Sequence, residues 1–148
     1  MFLLDTNIIS LLAPKPRHGA IEGDIATWIM QLSDDLYLSV ITVAEIEAGI
    51  ARLHRAGASK RASAFQAWLD GIFHYYAARI HELDLETAKL AGRIYDRAIG
   101  KGSNASFPDA AIAATAQMHH LTVITRNSAH FIHFEVPFIN PYDGLPAR

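Results

Sequence analysis

Three carboxylates and a few short polar side chains stand out because each falls close to where an apolar run stops. Asp5-Thr6-Asn7 closes the opening run Phe2-Leu3-Leu4. Glu45 lies just beyond the run at 36–41, Asp109 follows a proline, and Thr125-Arg126-Asn127 closes the run that begins at Leu121. Carboxylates gathered at one place repel one another, and a hard divalent cation such as Mg²⁺ or Mn²⁺ relieves that repulsion. Such a centre supports metal-assisted phosphodiester hydrolysis: the cation polarises a phosphoryl oxygen, activates a water and steadies the leaving oxyanion. Thr6 and Asn7 are of the right type to hydrogen-bond the carboxylates or a scissile phosphate. The segment between Glu47 and Asp70 holds Arg52, Arg55, Lys60 and Arg61 and no acid, so it is a candidate for gripping nucleic-acid backbone.

Each of these residues also has a plainer role open to it. Asp5 is a good cap for a helix starting at Thr6. Glu45 stands three residues after Thr42, the spacing of a capping box. Asp109 in a first helical turn complements the helix dipole, and the basic stretch reads equally well as a solvated helix face. The argument for chemistry is joint: a fold without use for them would rarely bring three carboxylates to one sheet edge.

The elements that must do so alternate in period. Residues 2–5 predict a first strand and 6–13 a helix, with a break over 14–19. A helix follows over 21–32, its stripe made by Ile21, Ile25, Trp28, Ile29 and Leu32. Residues 36–41 predict a second strand. Thr42 then opens a helix to about Ala56 that stops at Gly57. Residues 63–76 carry Phe65, Trp68, Leu69, Ile72 and Phe73 at helical spacing. A short third strand over 80–83 precedes a helix over 86–99 ended by Gly100. The glycine-rich segment 100–106 reads as a loop, and Pro108 opens a helix to about His119. Residues 121–125 predict the fourth strand and 137–140 a fifth. Strands alternating with helices give an α/β fold with a mostly parallel sheet covered on both faces, as a single domain over 1–148. Sites in such sheets lie beyond the carboxyl ends of the strands, where Asp5 and Thr125 fall.

Composition narrows the functional classes. The chain has 148 residues, 51% hydrophobic and 19% charged, which excludes a disordered chain. With no cysteine it has no disulfide, thiolate metal site or cysteine nucleophile. No apolar run approaches the roughly 20 residues of a membrane span, and Asp5 interrupts the opening run, so the expected location is the cytoplasm. A net charge of −2 argues against coating nucleic acid by bulk charge and leaves a local groove.

Four segments together carry a family resemblance: Leu3-Leu4-Asp5-Thr6-Asn7-Ile8-Ile9-Ser10, the stretch 39–50 with Glu45, Pro108-Asp109-Ala110-Ala111-Ile112-Ala113-Ala114, and 121–127 ending Thr-Arg-Asn. In this order, over nearly the whole chain, they resemble the PIN-domain ribonucleases, and among them the VapC toxins of type II toxin–antitoxin pairs, FitB-like subgroup. The resemblance implies a three-layer α/β/α sandwich with a sheet of about five strands. It also implies a Mg²⁺- or Mn²⁺-dependent endoribonuclease acting on structured RNA such as tRNA or rRNA, with Asp5, Glu45 and Asp109 as the metal-binding acids. It implies a homodimer inhibited by a small antitoxin that threads a segment into the groove and binds operator DNA through its other end, so that DNA is met only indirectly. One position departs from the pattern: where many members carry an acid before Phe, this chain has His130-Phe131. Histidine is a poor Mg²⁺ ligand, so His130 is read as facing the groove or solvent, with Thr125 or Asn127 holding a water on the cation. Whether one or two cations bind is left open by that exchange.

Other patterns carry less. Asp5-Thr6-Asn7 lacks the second acid of a HAD-type phosphatase, and Gly100-Lys101-Gly102-Ser103 lacks P-loop spacing. His119-His120 and the pair His130, His133 do not make a four-ligand set. Asp84 reads as a helix boundary. Asp96, between Arg93 and Arg97, reads as part of an ion-paired helix face, with the active-site edge as its alternative. The helices at 21–32 and 65–73 are candidate dimer surfaces. The leading function is therefore an RNA-cleaving toxin. The alternative, favoured by His130, is a weakly active or inactive binding module that serves with its antitoxin as an operator-binding repressor.

Overall fold

Leu3 and Leu4, both fully buried, point to opposite sides of β1 (Phe2–Leu4), and this alternation organises the molecule. In the computed structural model, which describes residues 1–15 and 19–145, five parallel strands form one sheet in the order β3-β2-β1-β4-β5. The others are β2 (Leu36–Ser39), β3 (Ile80–His81), β4 (Thr122–Ile124) and β5 (Phe138–Ile139). Seven α-helices lie among the described residues. Leu4, Leu36, Leu38 and Ile124 pack with α1 (Thr6–Ile9), α2 (Ala20–Gln31), α3 (Val40–Arg55) and α4 (Ser59–Tyr76). Leu3 and Val123 pack on the opposite face with α5 (Leu85–Gly100), α6 (Phe107–Met118) and α7 (Ser128–Phe131). The result is the expected three-layer α/β/α sandwich.

The sheet order fixes where a cleft can open. From central β1 the chain moves outward through β2 to β3, then returns to the other side as β4 and β5. Helices leaving β1 and β4 therefore diverge to opposite faces, and a crevice forms beyond the carboxyl ends of those two strands. Leu4 and Ile124 are paired there, and the Asp5 amide donates to the Ile124 carbonyl at 3.0 Å.

Several predicted boundaries shift, each for a local reason. The second strand stops at Ser39, because the Ser39 hydroxyl accepts from the Ile41 amide at 3.1 Å and caps α3. The first helix gives way to a 3₁₀ turn over Ser10–Leu12. Gly100 continues α5, and the left-handed residue is Gly102, at φ 81°, where the Ser103 amide closes back on the Ala98 carbonyl. Ile21 is 60% exposed and leaves the stripe assigned to it, whereas Ile25, Trp28 and Ile29 are buried. Phe65, Trp68 and Phe73 pack against the core. The break read over 14–19 includes residues 16–18, which lie outside the described residues.

α6 differs from the other helices in being buried on every side. Ala110, Ala111, Ile112, Ala113, Ala114, Thr115 and Ala116 have no exposed surface. Ser106 caps it through the Asp109 amide at 3.2 Å, with Pro108 in the first turn. This end points into the crevice. No helix of the described residues is long and apolar enough to cross a membrane.

Candidate functional site

Asp5 is held on both of its oxygens at the floor of the crevice. It is 2% exposed, and both carboxylate oxygens are bound by neutral donors. Oδ1 accepts from the Thr6 amide at 2.7 Å, so Asp5 does cap α1. Oδ2 accepts from the Asn7 amide at 2.7 Å and from the Thr125 hydroxyl at 2.6 Å across the β1–β4 seam. Asn7 ties the same seam a second time, accepting from the Arg126 amide at 3.1 Å. Burial pushes the Asp5 carboxyl up to about 6, the charges of Asp109 and Glu45 push the same way, and the Thr125 and Thr6 donors oppose them.

Glu45 does not close a capping box. Its Oε1 accepts from the Thr6 hydroxyl at 2.6 Å, and that hydroxyl also lies 3.3 Å from the buried Thr42 hydroxyl. With Ser39 as the cap, Thr42 and Glu45 sit inside α3, and Glu45 is turned toward the start of α1. The plainer capping-box role is thereby excluded for Glu45, because Ser39, three residues before Thr42, is the residue that caps the helix.

Asp109, 8% exposed, comes from the first turn of α6. Its Oδ2 receives the Asn127 amide at 2.9 Å and lies 2.5 Å from the His130 Nδ1. Asn127 is held in turn by its backbone amide on the Thr125 hydroxyl at 2.9 Å. The structure thus brings together Asp5, Thr6, Asn7, Glu45, Asp109, Thr125, Asn127 and His130. His130 reaches Asp109 directly, a contact that the sequence reading, which turned it to the groove or solvent, did not contain. The Thr125 hydroxyl is engaged with Asp5 and the Asn127 backbone amide, and the Asn127 carboxamide nitrogen with Asp109.

Beyond Glu45 an apolar groove of about 280 Å³ runs between α1, α3 and α4, lined by Ile46, Leu53, Phe65 and Trp68 and edged by Lys15 and Arg61. Of the four predicted basic residues only Arg61 lines it; Arg52, Arg55 and Lys60 are exposed around the α3–α4 turn. Lys15 was not singled out from the sequence, where it falls in the break read over 14–19. Asp96 is exposed on α5, and the neighbouring Arg97 pairs with Glu135 at 2.8 Å, so the expected helix-face pairing is replaced by a tie to the loop before β5. Asp84 caps α5 through the Thr87 amide at 2.8 Å, as read. His119 stacks on His81 at 3.6 Å between ring centres.

The donor chemistry fits a hydrated hard cation. Among the described residues no three His, Asp or Glu side chains form a ready-made cage. Mg²⁺ does not require one, since it keeps several waters and takes one or two carboxylates. Asp109 Oδ1 and Glu45 Oε2 have no hydrogen-bond donor among the described residues. They lie near the buried Asp5, whose proton affinity is raised mainly by burial and further by the charges of Asp109 and Glu45. Asp5, Asp109 and Glu45 are the side chains that would hold the ion.

The family model described as "PIN domain" matches residues 2–135. The chain belongs to the PIN-domain family. Within it, this PIN domain falls in the FitB/VapC toxin group. It is 35% identical over 144 residues to "Toxin FitB" of Neisseria gonorrhoeae, covering 96% of this chain and 99% of that protein. It is 34% identical over 145 residues to "VapC ribonuclease Y4jK" of Sinorhizobium fredii, covering 97% and 99%. The structure of "FitAB bound to IR36 DNA fragment" superposes with a TM-score of 0.78 at 35% identity, covering 96% of each chain.

Proposed function

We propose that this PIN domain is the toxin of a type II toxin–antitoxin pair and a Mg²⁺- or Mn²⁺-dependent endoribonuclease acting on structured RNA, tRNA or rRNA, in the cytoplasm. The observation that carries the reading is the buried Asp5 carboxylate, raised to about 6 with Asp109 and Glu45 both acting on it, at the switch point of the sheet. When bound, the cation supplies Lewis-acid polarisation of the scissile phosphate and an activated water.

The chain's own residues account for the rest. Thr6, Asn7 and Thr125 fix the Asp5 carboxylate, so no reorganisation is needed when the charged substrate arrives. Thr6 holds Glu45 against it across 39 residues of sequence. The apolar walls of the groove border the carboxylates on the Glu45 side. Arg61 and Lys15 at its edge are placed to neutralise flanking phosphates. The same groove, apolar with a charged rim, suits an antitoxin segment, and the ribonuclease and FitAB relatives support that pairing. Domain integrity over 1–148, a homodimer and DNA contact only through the antitoxin belong to the same reading.

The test is incubation of total cellular RNA with Mg²⁺ or Mn²⁺, comparing the protein with Asp5→Asn and with an EDTA control. Discrete fragments from the unmodified protein alone, lost in EDTA, are expected; equal cleavage by Asp5→Asn overturns the assignment. A second reading, a binding module acting with its antitoxin on operator DNA, draws on the DNA-bound FitAB relative. Growth separates the two: the enzyme arrests cells when expressed alone, and the binding module does not.

A further inference from the structure

We propose that His130 is a positioning residue for the cation: with Asn127 it holds one oxygen of Asp109, so that the other is presented to the cleft as a ligand. The inference rests on the cation site proposed above. α7 is only four residues long and has no stability of its own, yet it is fixed by Phe131, fully buried and edge-on to Phe134 at 5.2 Å. The His130 amide donates to the Asn127 carbonyl at 3.0 Å, and Asn127 hangs from the Thr125 hydroxyl. The imidazole is thereby delivered along a continuous chain of bonds from Asp5 through Thr125 and Asn127 to Asp109.

Nδ1 carries the hydrogen in this arrangement. A lone pair there would face a carboxylate oxygen at 2.5 Å, whereas an N–H donates to it. The 2.6 Å separation between His130 Nδ1 and Asn127 Nδ2 follows from both donors converging on one oxygen. The His130 and Asp109 side chains are 21% and 12% exposed, so water competes weakly for the bond. With Oδ2 engaged by both donors, Asp109 offers Oδ1. Partners that orient a ligand from behind are worth about 10–100-fold in metal affinity.

The experiment is Mn²⁺ titration calorimetry on the full chain, comparing the unmodified protein, His130→Ala and His130→Asn, with folding of each verified by circular dichroism. The Asn amide reproduces the donor position of Nδ1 and has nothing in place of Nε2. His130→Ala is expected to weaken Mn²⁺ binding about 10–100-fold and His130→Asn to restore most of the loss. Unchanged affinity in His130→Ala overturns the proposal while leaving the cation site intact. Equal loss in both variants also overturns it, and assigns the imidazole as a ligand through Nε2. No saturable Mn²⁺ binding by the unmodified protein overturns the cation site itself.

Discussion

The two halves of the crevice hold their carboxylates by different means. On the β1–β4 seam, Asp5 is buried and surrounded by neutral donors: an amide proton, a carboxamide and a hydroxyl. On the α6–α7 side, Asp109 is bound on one oxygen only, by a carboxamide and an imidazole, and its other oxygen is open. Donors set the geometry in both halves. On the seam, burial is the main reason that the Asp5 carboxyl is pushed up to about 6, and the charges of Asp109 and Glu45 add to it. Under the proposed function, Asp5 is the rigidly placed carboxylate that a cation would meet, and the open oxygen of Asp109 would supply a further ligand.

The sharpest way to break this comparison is to neutralise each half in turn. Asp5→Asn and Asp109→Asn should each reduce RNA cleavage about 1000-fold, the several kcal/mol expected for losing metal-assisted charge stabilisation. Both variants should keep their circular dichroism spectra. Cleavage retained by one of the two would show that its half is not part of the reacting centre.

The next largest effect is on stability without metal. Asp5 binds its proton more tightly folded (about 6) than at the ordinary value of 3.8. Its contribution is therefore fully present below about pH 4 and is lost as pH rises to about 6, roughly 3 kcal/mol in total. In EDTA, urea denaturation should show this fall in the protein and not in Asp5→Asn. Parallel pH profiles for the two would mean that the Asp5 charge is already compensated.

Thr125→Val removes the hydroxyl that joins the halves, since it donates to Asp5 and accepts from the Asn127 amide. A cost of about 2 kcal/mol in chemical denaturation is expected, larger at pH 8, where Asp5 is charged, than at pH 5. The smallest effect concerns the rim. Arg61→Glu should weaken RNA binding at low salt more than Arg55→Glu or Lys60→Glu, and should flatten the salt dependence by about one phosphate contact. Equal effects would move the RNA path off the groove and onto the α3–α4 turn.

Much of this frame was legible before any coordinates. β1, β4 and α6 could be read because apolar runs of the right length end on turn-forming or capping residues, and Asp5, Asp109 and Thr125 stand at those ends. Glu45 was legible as a candidate acid, but the residue that holds it was not. Its spacing from Thr42 mimics a local motif, whereas its actual partner, Thr6, is 39 residues away, and a bond of that range leaves no periodicity to read. His130 was read as facing the groove or solvent, and its bond to Asp109 was not legible for a related reason: α7 is too short to show a face, so nothing local says where its third residue points. The division of labour among the basic residues depends on how α4 folds back over α3, which charge counting does not contain.

The alanine run of α6 sets a mechanical tolerance on all of this. A helix with no exposed surface from Ala110 to Ala116 sits as close to its neighbours as methyl groups allow, and Asp109 rides on its first turn. A larger side chain anywhere along that run has no empty space to enter, so it must lift the helix as a rigid rod and carry the carboxylate with it. The dimensions of the cleft are thus machined from the far side, by residues that never touch a substrate.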